Sequence, residues 1–265
     1  MSNVSTSETG HAKITANLGR LNVIANRNNS IYKATNPLIK ISAISAAVAD
    51  GDKCIAAVSP VEKSYNLSVN KRRDIFITLS PTVTASFNFL GSLSGVDKSL
   101  NKSANTLMKK IKGTNRKADK ADTSTAQTST SLTSPTTTTP APTRKKHSVS
   151  QQSHDMKIKN FREYIDVLKL IPQYDPEETE IKIATLIALV DNLKTTNEKV
   201  DADYSPYATA LNQRDTILYA PETGLVAIAK MMKNYLKSLT KISATDKQEA
   251  ISLEFKSPSK ANLFL

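Results

Sequence analysis

Two adjacent ion pairs, Arg73-Asp74 and Arg214-Asp215, invite a chemical reading first, because the same polar couple occurs twice in one chain. A duplicated pair of this kind is either a shared binding determinant or a structural device that fixes the register of packed helices. On a helical wheel Arg214 and Asp215 flank an apolar stripe of Tyr207, Leu211 and Leu218, and Arg73-Asp74 is expected to flank Tyr65, Val69 and Phe76 in the same way. The plainer reading is preferred: both couples are structural polar pairs whose side chains reach outward from the edge of a core.

Other chemistry is sparse. The three histidines, His11, His147 and His154, fall in an expected N-terminal tail or linker, so neither a triad nor a metal site on rigid elements is expected. Cys54 stands in DKCIAAV beside apolar residues and reads as a buried, inert thiol, since no histidine in a folded segment can serve as its base. Asp201-Ala202-Asp203 lacks the glycine and terminal glutamate of a calcium loop. Gly91-Ser92-Leu93-Ser94-Gly95 is too short for a phosphate-binding loop and reads as a helix connection. Glu177, Glu178 and Glu180 suit the first turn of a helix, where the dipole favours acids. The sequence therefore assigns no catalytic, cofactor-binding or metal-binding residue, and no cofactor or small-molecule substrate.

Charge carries more information. The formal net charge is +12. The excess sits in the first 112 residues, with 15 Lys and Arg against 6 Asp and Glu, whereas residues 156–265 hold 15 of each. Lys71, Arg72 and Arg73 form one basic group, and Lys98, Lys102, Lys109, Lys110, Lys112, Arg116 and Lys117 form another. These are the candidate contacts to a polyanion. No helix-turn-helix pattern, interleaved stacking aromatics or RNA-module motif accompanies them, so a solvated cationic face is the plainer reading.

The elements that would position these groups are helical and repeated. NPLIKISAISAAV at residues 36–48 nearly recurs as TEIKIATLIALV from Thr179. Tyr32 matches Tyr174, Ile39-Lys40-Ile41 matches Ile181-Lys182-Ile183, Tyr65 matches Tyr207 and Asn70 matches Asn212, all 142 residues apart. One single-residue shift then pairs Arg73-Asp74 with Arg214-Asp215, and another pairs Pro81 with Pro221. A period this long is not that of a solenoid and points to two copies of one domain. Apolar residues recur at helical spacing in each copy, as in Ile183, Leu186, Ile187, Val190 and Leu193. Asp175-Pro176 and Asn36-Pro37 read as helix starts, and breaks are expected near Ser205-Pro206 and Pro221. Between the copies, DTSTAQTSTSLTSPTTTTPAPT has almost no large apolar side chain and reads as a flexible linker.

The expected architecture is all-α: two homologous four-helix up-down bundles joined by a disordered Thr/Ser/Pro-rich linker. The boundaries are a disordered N-terminus at 1–11, a basic bundle at 12–112, the linker at 113–155, a neutral bundle at 156–256 and a C-terminal tail at 257–265. No signal peptide or membrane span is read, which suggests a cytoplasmic protein, although a non-standard export route would leave no mark. The runs DPEETEIKIATLIALVDNLKTTNE and NQRDTILYAPETGLVAIAKMMKNYLKSL resemble an uncharacterised bacterial family of small helical-bundle proteins that share LKIATL-like and TGLVD-A-like helices. That resemblance implies a helical fold and carries over no activity or site residue. The first copy departs from it most, with Thr84 and Ala85 where the second has Gly224 and Leu225.

The functional expectation is a non-enzymatic structural or protein-interaction protein that acts as a scaffold or self-assembling component. The alternative is a nucleic-acid-associated protein that grips phosphates non-specifically through its basic first bundle.

Overall fold

The computed structural model describes residues 6–113 and 152–256. Those residues form seven α-helices and no strand: α1 Thr6–Arg27, α2 Ile41–Ser92, α3 Lys98–Lys112, α4 His154–Lys169, α5 Ile183–Tyr219, α6 Leu225–Ser238 and α7 Ala244–Ser252. Short 3-10 turns at Pro37–Ile39 and Thr179–Ile181 lead into α2 and α5. Most of the expected linker and the C-terminal tail lie outside the described residues. Its edges do not match the expectation. Residues 6–11 belong to α1, Gly113 caps α3 at φ 76°, and α4 starts at His154, with Ser153 Oγ accepting from the Met156 amide.

Helix count is a second correction. The break expected near Ser205-Pro206 does not occur, whereas the one near Pro221 does: α5 runs 37 residues through Pro206 and ends at Tyr219, and α2 runs 52 residues through Pro60 and Pro81. An internal proline removes the amide that would serve the carbonyl four residues earlier. Here those carbonyls belong to Ala56, Ile77 and Ala202, all on exposed positions, so water can meet them and the apolar stripe carries the helix through. Residues 12–112 thus form three helices, and the four-helix bundle expected for that stretch is absent. Asp175 is not a helix cap either, because α5 begins only at Ile183. Asn36 does cap, accepting from the Leu38 amide at 2.9 Å, but it caps the 3-10 turn.

The stripe on the long helices has a period of seven. In α2 the inward positions are Ile44, Gly51, Val58, Tyr65, Arg72, Leu79 and Ser86; in α5 they are Leu186, Leu193, Val200, Tyr207 and Arg214. A seven-residue repeat keeps one face turned to its partners over many turns, as in coiled coils. Each α5 position lies 142 residues after an α2 position, with no shift.

Hydrogen bonding repeats at the same interval. Tyr32 OH donates to the Ile39 carbonyl at 2.7 Å, and Tyr174 OH donates to the Ile181 carbonyl at 2.9 Å. The Ile44 amide donates to the Lys40 carbonyl, and the Leu186 amide to the Lys182 carbonyl, both at 2.9 Å. In each case a buried tyrosine ties the chain to the turn that opens the long helix.

The chain divides into two compact units, one of Met1–Asn70 with Lys199–Leu265 and the other of Lys71–Glu198. These do not coincide with residues 12–112 and 156–256; each unit draws on both. In the first unit α1 packs on α6 and α7, with Ile14, Leu18 and Leu21 sharing a core with Leu225, Ile228 and Met232. In the second unit α3 packs on α4, and Leu79, Val83 and Leu90 of α2 share a core with Phe161, Tyr164 and Leu186. The boundary falls within α2 and within α5, and in the second unit the apolar residues of α2 share a core with α4 and the first half of α5.

Candidate functional site

The two arginine pairs separate in the structure. Arg214 lies buried in α5, with Nε and Nη2 donating to Asp215 Oδ1 at 3.0 and 2.8 Å. Arg73 and Asp74 are both about two-thirds exposed, 68% and 67%, and approach only to 3.6 Å. The residue 142 positions before Arg214 is Arg72, which is half-buried on the inward stripe of α2. The expected match of Arg73 with Arg214 is therefore corrected. A one-residue shift inside an unbroken helix would turn the side chain by about 100°, from the core edge into water. The expected match of Pro81 with Pro221 fails likewise, since Pro81 is exposed within α2 and Pro221 lies between α5 and α6.

Arg72 organises a polar cluster in the second unit. Its Nη1 donates to Asn197 Oδ1 at 3.1 Å, and Asn197 Nδ2 donates to Asp155 Oδ1 at 2.8 Å. His154, beside Asp155, meets the Phe76 ring edge-on at 4.6 Å. Burial, and then the charges of Arg72 and Lys157, hold the His154 pKa below the usual imidazole value, so its ring is neutral near pH 7. Asp155 and Asn197 form one wall of a groove of about 420 Å³ between α4 and α5. Lys159, Arg162, Glu163, Lys194 and Glu198 also line it. The lining combines both signs of charge with one hydrogen-bonded amide, that of Asn197. That arrangement suits recognition of polar or charged groups.

The lysines of α3 form the second candidate surface. Lys98, Lys102, Lys109 and Lys112 are exposed and fall within about 80° of one another on the helix, over about 21 Å of its axis. The opposite face, Ala104, Leu107 and Ile111, is buried. No acidic residue occurs in α3. Lys109, Lys110 and Lys112 also occupy its last turn, where cations complement the helix dipole. Lys112 Nζ donates to Thr84 Oγ1 of α2 at 3.0 Å. Lys71 is exposed, but about 16 Å of helix separates Arg73 from Thr84, so the two basic groups do not merge along α2. Arg116 and Lys117 lie outside the described residues.

Several residues with chemical potential had no signal in the sequence. His11 is not in a tail: it is buried in α1, with its ring 5.9 Å from that of Tyr219. Asp246 of α7 is buried and accepts from Asn28 Nδ2 at 3.0 Å and from Arg27 Nη1. These hydrogen bonds, Asn28 first, hold its carboxyl below the usual range. Cys54 follows the expectation of a buried thiol: it donates to the Gly51 carbonyl at 3.1 Å, and burial raises its pKa despite the nearby Arg214. Among the described residues no cluster of three His, Cys, Asp or Glu side chains could hold a metal ion. No helix among them is long and apolar enough to cross a membrane. Compared with protein-family models, curated proteins and solved structures, the chain has no match in any of the three.

Proposed function

We propose that this chain is an internally duplicated, non-enzymatic protein-association module that acts as a scaffold or self-assembling component. The observation that carries the reading is the repeated architecture. A tyrosine hydroxyl closes the same turn 142 residues apart, and both long helices carry an inward stripe at the same interval. Duplicated helical surfaces offer pseudo-equivalent patches, and heterologous contacts between such patches can propagate a ring or filament. The resemblance to helical-bundle proteins is consistent with this and adds no activity. Light scattering on the intact chain over a hundredfold concentration range tests it. The expected outcome is a mass that grows with concentration, and a constant monomer mass would end the self-assembly reading.

A second reading, polyanion binding, is favoured by the lysine stripe of α3. Each phosphate contact that such a stripe makes releases counterions, so affinity for duplex DNA should fall steeply with salt. Fluorescence anisotropy of the full chain with a labelled duplex checks this, and replacement of Lys102 and Lys109 by Gln should flatten the salt slope by about two contacts. No binding at low salt would leave the stripe as a solvated face.

A further inference from the structure

We infer that the two copies, residues up to 113 and residues from 152 onward, are obligate partners, so that the chain is a fused dimer whose assembly does not need the connecting peptide. The inference uses the duplication proposed above to name the halves, but its packing argument stands on the cores alone.

Neither core is made by one half. In the first unit Asn17 Nδ2 donates to the Glu254 carbonyl at 2.9 Å, Asn28 reaches Asp246, and the Lys33 amide donates to Tyr235 OH at 3.1 Å. In the second unit Ser86 Oγ bonds Tyr164 OH at 3.0 Å and Tyr174 OH at 2.7 Å, and Arg72 bonds Asn197. Ser86 and Tyr164 are fully buried. Pulling the halves apart would strip these groups of their partners and expose both apolar cores, which a buried polar network makes costly. One contact also joins equivalent residues: the Tyr65 ring stacks on that of Tyr207, 142 positions later, with centroids 5.4 Å apart and planes 13° apart. A residue that meets its own counterpart is the mark of an isologous pairing. The surface on each half therefore fits one kind of partner, a second copy of the same repeat.

The test uses the intact chain with a site-specific protease sequence substituted within residues 122–143, cut after purification. Both fragments should co-elute with the mass of the uncut protein and with unchanged helical circular dichroism. The melting midpoint should then depend on concentration, as for any two-chain assembly. Co-elution alone could reflect adhesion of independently folded halves. In the cut protein, Ser86→Arg should therefore release the second unit's helical signal. Two separate fragments, each folded on its own, would overturn the inference. Self-assembly is read from the mass of the uncut chain, so either idea can fail without the other.

Discussion

The two cores solve the same packing problem with different chemistry. The fully buried triplets Leu18, Leu21 and Ala25 of α1 and Phe161, Tyr164 and Leu168 of α4 have the same spacing. The core of the first unit holds Leu21 and Ile228, whereas in the second Tyr164 hydrogen-bonds Ser86, the residue 142 positions before Ile228. Positions that are apolar in one unit are thus hydrogen-bonded in the other. A tyrosine hydroxyl is tolerated in a core only with a partner, and Ser86 supplies it for Tyr164 while also bonding Tyr174. A second contrast is steric. Gly51 occupies the stripe position that Leu193 fills in α5, because a Cβ there would come within 2.6 Å of both Leu225 and Thr15. A third concerns one asparagine in each unit, one residue ahead of the triplet: Asn17 serves the Glu254 carbonyl, whereas buried Asn160 Nδ2 has no acceptor among the described residues.

These contrasts can be broken one at a time. Gly51→Leu, which copies the other long helix, should have the largest effect, a loss of about 3 kcal/mol from overpacking, seen in chemical denaturation of the first unit. A stability unchanged by that substitution would mean that α1 and α6 can move apart freely. Ser86→Ala should cost about 2 kcal/mol, because it leaves the Tyr164 hydroxyl buried without a partner. Adding Tyr164→Phe should recover part of that loss, and a double-mutant cycle without coupling would show that the hydroxyls act independently.

The asparagines should respond with opposite signs. Asn17→Leu should cost about 1 kcal/mol by deleting the hydrogen bond to the Glu254 carbonyl, and Asn160→Leu should gain up to about 1 kcal/mol by removing an unsatisfied donor. Equal effects at the two positions would erase the third contrast.

Alkaline pH separates the units more gently. Burial raises the Tyr32 pKa to about 12. A raised folded value means that the native state holds the proton longer than the unfolded chain does. The resulting stability is therefore complete below the ordinary tyrosine value of about 10 and is lost as pH rises toward 12. Burial raises both Tyr164 and Tyr174 in the second unit, so its melting transition should fall more steeply above pH 10 than that of the first. Ultraviolet-detected titration alongside the melts checks the assignment.

Helical class and the apolar stripes were legible in the sequence because period and residue type report burial directly, as Leu186, Val190 and Leu193 illustrate. Helix length was not. Proline is read as a stop, yet Pro60, Pro81 and Pro206 fall on exposed turns where the lost bond can be met by solvent. Pairing the expected copies through Arg-Asp was misleading because identity outweighed register; only the unbroken α2 places Arg72, and not Arg73, on the inward face. The partners in each core were invisible for a different reason. An amphipathic stripe states that a face is buried and does not state which segment buries it. The Arg72–Asn197–Asp155 cluster spans residues 72 to 197, and no local pattern could bring those positions together.

The bonds between α1 and the last helices also set a schedule for synthesis. Asn17 and Glu254 are 237 residues apart, and Lys33 and Tyr235 are 202 apart. At a ribosomal rate of about 5 to 20 residues per second, α1 waits roughly 10 to 40 seconds after emergence before its permanent neighbours exist. Until then, of the core that buries Leu18, Leu21 and Ile24, only the early members such as Tyr32, Ile39 and Ile44 have been made. The permanent partners of α1 in α6 and α7 are thus made about 200 residues after α1 itself.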